Sequence, residues 1–184
     1  MIAHPLTFNK KKIDNEMICS PYSLEMLSDY FNIEISKEPK KISDNIYFLG
    51  EIPNYFDFEK RYNMGNIKID GQYTPDYLYD DSAIVYKGRK GLFIITGCSH
   101  SGICNIIEHA KKVCNDNRIT GVIGGFHLLK NDERLHKTID YFKNNKIRKI
   151  YPCHCTSLIA KALLMEAMPD AVVEVGVGYS INLK

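Results

Sequence analysis

The stretch from Gly91 to Ser157 repeats one pattern three times, an apolar strand-like run, a loop and the start of a helix. The strand-like runs cover residues 92–96, 119–124 and 147–151. The helix-like runs cover residues 103–114, 132–144 and 157–168. Strands that alternate with helices of this length form βαβ units, in which neighbouring strands run parallel. The sequence therefore predicts an α/β fold organised around this segment.

Each of the three loops carries a histidine just past the end of its strand, namely His100, His127 and His154. Ligands of parallel sheets bind outside the carboxyl ends of the strands, so one site can gather all three side chains. A single histidine in such a loop is more often a hydrogen-bonded structural residue than a ligand. Three at equivalent positions favour a shared metal or catalytic site.

Length and charge restrict the class of protein. With 184 residues the chain is expected to form one domain with a sizeable core. A formal net charge of +2 gives no reason to expect a nucleic acid or an anionic membrane as partner. The first residues lack the apolar core of a secretory signal, and no run reaches the ~18 apolar residues of a membrane helix. We expect a soluble protein.

Six cysteines in a chain of this length indicate a reduced, cytoplasmic protein rather than a small disulfide scaffold. Cys98, Cys153 and Cys155 flank the histidines, which leaves a metal role open for them. A closed zinc site of Cys98 with Cys153-His154-Cys155 is the less favoured interpretation, because adjacent residues rarely bind one tetrahedral ion together. We expect Cys153 and Cys155 to pack as small apolar side chains.

The remaining segments carry weaker signals. Strands are predicted at residues 1–6, 41–50, 81–87, 171–175 and 179–183, and a short surface helix at 21–31. The runs 81–87 and 91–96 are typical of a hairpin. Residues 54–80 are predicted as a long loop, whose tyrosines either line a substrate mouth or pack the loop onto the fold.

Side chains outside the three loops are expected to be structural. Asp80 and Asp81 are predicted to be turn residues before a strand. His4 is expected to lie at a strand end, and His109 and His136 on helix surfaces.

The chemistry of the three loops favours a divalent metal. Neutral imidazole is a common ligand of zinc, which we expect first, and it also suits iron and manganese. Catalytic metal sites keep an open position for water. The helices after the loops point their N-termini toward the same crevice, which favours an anionic or phosphorylated small-molecule substrate.

Three blocks carry a resemblance to a known family. They are Thr-Gly-Cys-Ser-His-Ser-Gly-Ile at 96–103, Val-Ile-Gly-Gly-Phe-His-Leu at 122–128 and Tyr-Pro-Cys-His-Cys-Thr at 151–156. In this order they resemble the metallo-β-lactamase superfamily. More narrowly they are similar to its dihydropterin synthase-like branch, named for 7,8-dihydropterin-6-methyl-(ribofuranosyl)aminobenzene 5'-phosphate synthase. Residues 49–53 and 80–84 also resemble that branch.

The resemblance implies an αββα sandwich with a two-metal site at one edge of the sheets. By position, His100 and His154 match metal-ligand histidines of the superfamily. His127 lies where the superfamily often places a bridging Asp, so that a metal-ligand role and a catalytic, substrate-contacting role both stay open for it. In such sites a metal-bound hydroxide attacks an ester, amide or phosphoester bond.

The chain departs from the superfamily in one respect, because the signature His-x-His-x-Asp-His is absent. The resemblance places that motif upstream of Met1, so the sequence looks like the C-terminal two thirds of the fold. A missing start, a split protein completed by a separate N-terminal half and a degenerate remnant are the three explanations. We expect exposed apolar surface on the isolated chain and a tendency to form homo-oligomers.

Three functions follow from these observations. The leading hypothesis is a metal-dependent hydrolase that needs an upstream segment for full activity. The alternative is a non-catalytic binding or assembly protein that has lost its metal site. A third is a synthase that transfers a group to an acceptor other than water, since no residue separates the two reactions.

Overall fold

A computed structural model describes residues 1–183, and Lys184, at the end of the predicted domain, lies outside the described residues. The fold is α/β, as predicted. Its strands are β1 (Ile2–Ala3), β2 (Lys11–Ile13), β3 (Glu16–Met17), β4 (Glu34–Ile35), β5 (Lys40–Ser43), β6 (Ile46–Phe48), β7 (Asn66–Ile69), β8 (Gln72–Pro75), β9 (Ala83–Gly88), β10 (Gly91–Thr96), β11 (Ile119–Gly124) and β12 (Ile150–Pro152). Its helices are α1 (Leu24–Ser28), α2 (Ile103–Cys114), α3 (Glu133–Asn144) and α4 (Leu158–Ala167), with a 3₁₀ turn at Asp57–Glu59.

The largest sheet contains six strands in the order β12–β11–β10–β9–β6–β5. Strands β10, β11 and β12 run parallel to one another, whereas β9, β6 and β5 are antiparallel to their neighbours. Strands β3, β2, β7 and β8 form a second, antiparallel sheet, and β1 pairs with β4. The carboxyl ends of three parallel strands therefore meet at one edge.

The three predicted strand–loop–helix units are confirmed, and they form two βαβ units, β10–α2–β11 and β11–α3–β12. The bounds of α2 and β11 agree with the prediction, α3 begins one residue later, and α4 is one residue shorter at each end. The hairpin of β9 and β10 is also confirmed, with Gly88 opposite Gly91. These elements carry long apolar patterns, which is why sequence periodicity finds them.

The main core lies between the six-stranded sheet and its helices. Helix α2 turns an apolar stripe toward the sheet, formed by Ile103, Ile106, Ile107 and Ala110. This i, i+3, i+4, i+7 spacing places the four side chains on one face. Leu92 and Ile94 alternate on β10 and bury their side chains in the same cluster. Helices α3 and α4 extend this layer with Phe142 and Leu164.

Two predicted segments differ from the structure. The run at 41–50 is not one strand, because β5 and β6 form a hairpin there that turns at Asp44 and Asn45. The predicted loop at 54–80 contains the β7–β8 hairpin, which turns at Asp70 and Gly71. The strands in these hairpins are three or four residues long and mostly half-exposed or exposed, so their pairing leaves little hydrophobic periodicity.

The predicted closing strands are wrong. Residues 171–175 contribute one parallel bridge, between Val172 and Ile150, and residues 179–183 are irregular. The physical reason lies in the partner strand, since β12 ends at Pro152 and proline has no N–H for a ladder. None of the helices in residues 1–183 is long and apolar enough to cross a membrane.

Three histidines outside the loops have structural environments. His4 is buried after β1 and hydrogen-bonds Glu51, which fits its prediction as a strand-end residue. His136 is exposed on α3, as predicted. The prediction for His109 is wrong, because its ring is half-buried between Tyr55 and the Leu49 carbonyl. Residues 49–55 cover that turn of α2, and periodicity within a helix does not reveal such a cover.

The second face of the six-stranded sheet carries an apolar row. Strand registers place Phe48 opposite Ile84, Ile84 opposite Ile95, Ile95 opposite Ile123 and Ile123 opposite Tyr151. Ile84 and Ile95 are 39% and 42% exposed. The main helices pack on the opposite face, so the prediction of exposed apolar surface is confirmed for this row.

Candidate functional site

The site is built by three loops that follow β10, β11 and β12, and hydrogen bonds join these loops to one another. The Gly125 N–H donates to the Gly97 carbonyl at 2.7 Å, and the Cys153 N–H donates to the Gly124 carbonyl at 2.8 Å. The buried Ser99 hydroxyl donates to the Gly125 carbonyl at 2.5 Å. Because every loop is tied to a neighbour, the edge of the sheet holds its side chains in fixed relative positions.

Each loop contains one non-glycine residue in the left-handed region. These residues are Ser99 (φ 60°), His127 (φ 48°) and Cys155 (φ 52°). Such conformations are unfavourable for L residues and persist where surrounding contacts determine them, often at functional sites. They turn the chain sharply at the strand ends and set the directions of the side chains that follow.

His100 and His127 form the centre of the site. Their ring centroids lie 4.3 Å apart, with the rings inclined at 53°. The Nδ1 atoms of both rings are buried and make no hydrogen bond within residues 1–183. Buried polar atoms are normally paired, so this pair of nitrogens is suited to a ligand.

Burial favours the neutral form of both imidazoles. Burial lowers the pKa of His100, with the charges of Arg134 and Arg61 adding to this and Asp81 opposing it. Burial, then the neighbouring His100 and Arg134, lowers the pKa of His127 to about 4. Neutral imidazole is the form that binds a metal or accepts a proton. The pair therefore fits a divalent transition metal.

Tyr62 reaches the site from the 54–80 segment. Its hydroxyl lies 2.5 Å from His127 Nε2, and the two rings stack with centroids 6.1 Å apart. When Nε2–H donates to the Tyr62 oxygen, the lone pair of His127 is on the partnerless Nδ1. A metal-binding histidine commonly uses its second nitrogen in this way. Tyr55 instead packs on His109, which fits the prediction that tyrosines pack this segment onto the fold, while a role in lining a substrate mouth stays a prediction.

Arg134, in the first turn of α3, brings a positive charge to the two histidines. Its Nε and Nη2 atoms are buried and have no hydrogen-bond partner within residues 1–183. This positive charge contributes to lowering the pKa of His100 and His127 and opposes the raised pKa of Glu59. A guanidinium with two free donor nitrogens fits a carboxylate or phosphate group.

Glu59 is a buried carboxylate beside this arginine. It accepts hydrogen bonds from the N–H groups of Cys104 and Asn105, at 3.0 and 2.8 Å, at the start of α2. Burial raises the pKa of Glu59, and these two N–H groups and the Arg134 charge oppose that shift. The Glu59 carboxylate therefore accepts hydrogen bonds from the start of α2 and none from Nε or Nη2 of Arg134.

The two aspartates before β9 lie at a turn, as predicted, which the Asp81 N–H closes by donating to the Leu78 carbonyl, and both carboxylates have further partners. Asp80 accepts a hydrogen bond from the buried Lys11 ammonium at 2.5 Å. Asp81 accepts from the N–H and the hydroxyl of Ser101, at 2.8 and 2.5 Å. Asp81 thus anchors the loop that carries His100, and its negative charge favours a cation near the histidines.

His154 lies in a different set of contacts from the other two histidines. Its Nε2 is 3.3 Å from Cys98 Sγ, and Cys98 Sγ is 3.6 Å from Cys155 Sγ. The ligand atoms of these three residues lie within 4.8 Å of one another, and they are the set of three that meets this criterion in residues 1–183. Burial and the neighbouring Cys155 raise the pKa of the Cys98 thiol to about 11.

Gly125 makes this approach possible. A Cβ at this position would lie 2.6 Å from the His154 carbonyl oxygen and 3.0 Å from His154 Nε2. The glycine therefore lets the β11 loop pass directly against the β12 loop. Cys153, by contrast, directs its sulfur to the Tyr151 carbonyl at 3.5 Å and takes no part in the set.

Sequence reasoning located the three histidine loops and missed several side chains that surround them. It assigned no role at the site to Arg134 or Glu59, which lie in a helix and a short turn without a motif. For the thiols, sequence reasoning left a metal role open but expected Cys155 to pack as a small apolar side chain. The local signal for the thiols was their position beside His100 and His154. The metal-ligand roles of His100, His127 and His154, and the catalytic role of His127, stay predictions.

Curated relatives and solved structures resemble the chain, whereas no protein-family model matches it. It is 37% identical over 168 residues to an uncharacterized protein of Methanocaldococcus jannaschii, covering 90% of this chain and 62% of the relative. It is 35% identical over 140 residues to 7,8-dihydropterin-6-methyl-4-(β-D-ribofuranosyl)-aminobenzene-5'-phosphate synthase of the same organism, covering 74% of this chain and 48% of the relative. The chain thus spans less than two thirds of the length of these relatives.

The fold matches a crystal structure described as a metal-dependent hydrolase of the β-lactamase superfamily. The TM-score is 0.85 at 23% identity, and the match covers 99% of this chain and 70% of the other. At this identity the structural match shows the fold. The similarity to the dihydropterin synthase-like branch comes from the 35% identical synthase relative. The resemblance stated from the three histidine motifs is thereby confirmed: the chain has the metallo-β-lactamase fold and is a sequence relative of the synthase that names the dihydropterin synthase-like branch.

Proposed function

We propose that this chain is the part of a metal-dependent hydrolase that binds a phosphoester or a similar anionic ester. One observation carries the proposal: two buried imidazole nitrogens have no hydrogen-bond partner within residues 1–183, and the charge of Arg134, whose buried Nε and Nη2 have no partner there either, acts on both rings. A neutral nitrogen pair suits a divalent cation, and a free guanidinium suits an anion. A hydrolytic site for an anionic substrate requires both.

His100 and His127 would hold the metal through Nδ1, while His154, the third predicted metal ligand, lies with the thiols at the same sheet edge. When bound, a divalent metal supplies a Lewis acid and lowers the pKa of a bound water. Zinc is the proposed ion, with iron and manganese as alternatives, because imidazole suits all three. The solved structure of similar fold is described as metal-dependent, which supports a divalent metal in general.

Arg134 would bind the anionic group of the substrate. Its nitrogens are held near the histidine pair by the first turn of α3, and Glu59 does not occupy them with a hydrogen bond. Charge-assisted hydrogen bonds to a phosphate oxygen are about twice as strong as neutral ones. Such contacts would hold the anion next to the metal ligands and align the ester with the reacting centre.

Tyr62 and His127 would act as a unit. The hydrogen bond between them fixes the ring of His127 and sets which nitrogen faces the site. With a pKa lowered to about 4, His127 stays neutral at pH 7, in the form that coordinates a metal or accepts a proton from water. The catalytic role predicted for His127 is retained in this proposal.

Hydrolysis of p-nitrophenyl phosphate and bis-p-nitrophenyl phosphate tests the proposal, with Zn²⁺, Mn²⁺ or Fe²⁺ added to the purified chain. We expect activity with at least one metal, and a fall of about 10²-fold or more in kcat/KM for His127→Ala, since its imidazole is lost either as a metal ligand or as a proton acceptor. Arg134→Ala should raise KM more than it lowers kcat. His136→Ala, an exposed histidine on the same helix as Arg134, is the control.

Wild-type activity that is equal in His127→Ala would contradict the assignment of the site. Absence of activity with every metal, together with tight binding of a small anion that Arg134→Ala abolishes, would favour the non-catalytic binding protein instead.

A second candidate is a synthase, favoured by the name of the 35% identical relative. The same residues would then orient an anionic substrate for transfer to an acceptor other than water. Formation of a new product from a phosphorylated pterin-containing substrate, without release of the hydrolysis product, would distinguish this reaction.

A further inference from the structure

We propose that Cys98, His154 and Cys155 form a metal site of their own, with two sulfur ligands and one nitrogen ligand, for a zinc-like cation. It lies at the same sheet edge as the His100–His127 pair but uses different donor atoms. The proposal goes beyond the proposed function, because it assigns His154 to the thiols whether or not the chain is a hydrolase.

Two of the three separations lie close to those of tetrahedral zinc, and the third lies within 4.8 Å. Zinc binds cysteine sulfur at about 2.3 Å and histidine nitrogen at about 2.0–2.1 Å. At tetrahedral angles this requires about 3.8 Å between two sulfurs and about 3.6 Å between sulfur and nitrogen. The observed distances are 3.6 Å for Cys98 to Cys155 and 3.3 Å for Cys98 to His154. Shifts of a few tenths of an ångström bring these two separations to the tetrahedral values.

Backbone conformation removes the main objection to these ligands. His154 and Cys155 are adjacent, and adjacent residues in an extended chain point in opposite directions. Cys155 is in the left-handed region with φ 52°, which turns the chain so that its sulfur lies beside Cys98. Cys98 lies in the turn before Ser99, whose φ is 60°. The two turns together bring residues from separate loops into one set.

The surroundings of the set favour a cation with one exchangeable position. Both thiols are half-buried and His154 is exposed, so three protein ligands leave one side toward solvent. Three ligands with an open fourth position are the pattern of catalytic rather than structural zinc. Asp81 places a negative charge close enough to act on Cys98. Soft thiolate ligands select zinc over magnesium or calcium.

Cobalt substitution tests the sulfur ligands directly, with the chain purified under reducing conditions and titrated with Co²⁺. Thiolate ligation gives an intense thiolate-to-cobalt charge-transfer absorption in the near ultraviolet, which histidine-only ligation does not. We expect this band in the wild type, about half its intensity in Cys98→Ser and in Cys155→Ser because one thiolate remains, and its loss in the double variant. Zn²⁺ should displace cobalt and abolish the band.

Two controls separate this site from neighbouring groups. Cys153→Ser removes the adjacent thiol that points to Tyr151, and it should keep the full band. His100→Ala removes a residue of the proposed hydrolase centre and should also keep the band while lowering any hydrolysis. Failure of the hydrolase proposal would therefore leave this result unchanged.

The proposal is overturned if reduced wild-type chain shows no charge-transfer band at saturating Co²⁺. It is equally overturned if the band survives in the double variant Cys98→Ser/Cys155→Ser, or if Cys153→Ser removes it. Circular dichroism of each variant confirms that the fold is retained, since serine replaces half-buried thiols of nearly the same size.

Discussion

Histidine occurs in this chain in two physically different roles, and His109 represents the structural one. Its Nε2–H donates to the Leu49 carbonyl at 3.0 Å, and the Tyr55 hydroxyl donates to its Nδ1 at 3.1 Å. Both nitrogens are used, whereas the Nδ1 atoms of His100 and His127 have no partner among residues 1–183. Sequence alone cannot separate the two roles, because the partners of His109 lie more than fifty positions away.

Protonation of His109 should destabilise the fold. Burial lowers its pKa below the ordinary 6.5, Lys112 adds to the shift, and the hydrogen bond to Leu49 and the Glu38 charge oppose it. Because the folded pKa is the lower one, this contribution to stability is complete above pH 6.5 and is lost as pH falls through the folded pKa. Urea unfolding between pH 7.5 and 5 should therefore show a shallower loss of stability in His109→Gln than in wild type.

The exposed His136→Gln is the matched control and should keep the wild-type slope. Identical slopes for wild type and His109→Gln would show that His109 does not contribute to acid sensitivity.

Gly125 shows how one backbone position sets the spacing of two loops. Gly125→Ala should displace the His154 loop, because the new Cβ would lie 2.6 Å from the His154 carbonyl oxygen and 3.0 Å from the Gly97 carbonyl oxygen. We expect a loss of about 1–3 kcal/mol in the free energy of unfolding and weaker Co²⁺ binding. Gly97→Ala is the control, since its Cβ would meet nothing within 4 Å. Equal effects of both substitutions would contradict this account.

At the scale of elements, sequence reasoning succeeded where an apolar pattern was long and failed where pairing decided the structure. Strand β11 has six residues with a buried pattern and was predicted to the residue. Strand β8, by contrast, is exposed at all four positions and exists because it pairs with β7. The 3₁₀ turn at Asp57–Glu59 is likewise short. Secondary-structure propensity does not indicate that this turn positions the Glu59 carboxylate at the start of α2.

Glu59 is the cap of α2, supplied from outside the helix. Gly102, the N-cap residue of α2, has no side chain to accept a hydrogen bond. The Cys104 and Asn105 N–H groups therefore donate to the Glu59 carboxylate instead. Glu59→Ala should lower the free energy of unfolding by about 2–4 kcal/mol, because two buried donors lose their acceptor. Asp132→Ala, which removes the exposed cap of α3 at Leu135, should lower it by about 1 kcal/mol. Urea titrations of both variants measure the difference, and equal losses would mean that burial of the cap is unimportant.

For the whole candidate site, the sequence predicts where the loops lie but not how their side chains group together. Parallel topology predicts that the loops of His100, His127 and His154 meet at one edge, and they do. The topology does not predict which side chains contact one another there. The rings of His100 and His127 contact each other, whereas His154 contacts the thiol of Cys98. That division depends on left-handed residues and on Gly125, whose effects appear once the loops are packed.

The apolar row of the six-stranded sheet gives the last prediction, self-association of the chain. The row runs across five strands, and its exposed centre is Ile84 paired with Ile95. Contiguous apolar surface of this kind favours contact with another protein surface. Sedimentation over a concentration series should show association for the wild type and a shift toward monomer for Ile95→Lys. Leu158→Lys, at an 84% exposed leucine on α4, should not shift it. A wild type that stays monomeric, or equal shifts in both variants, would mean that this face does not drive association.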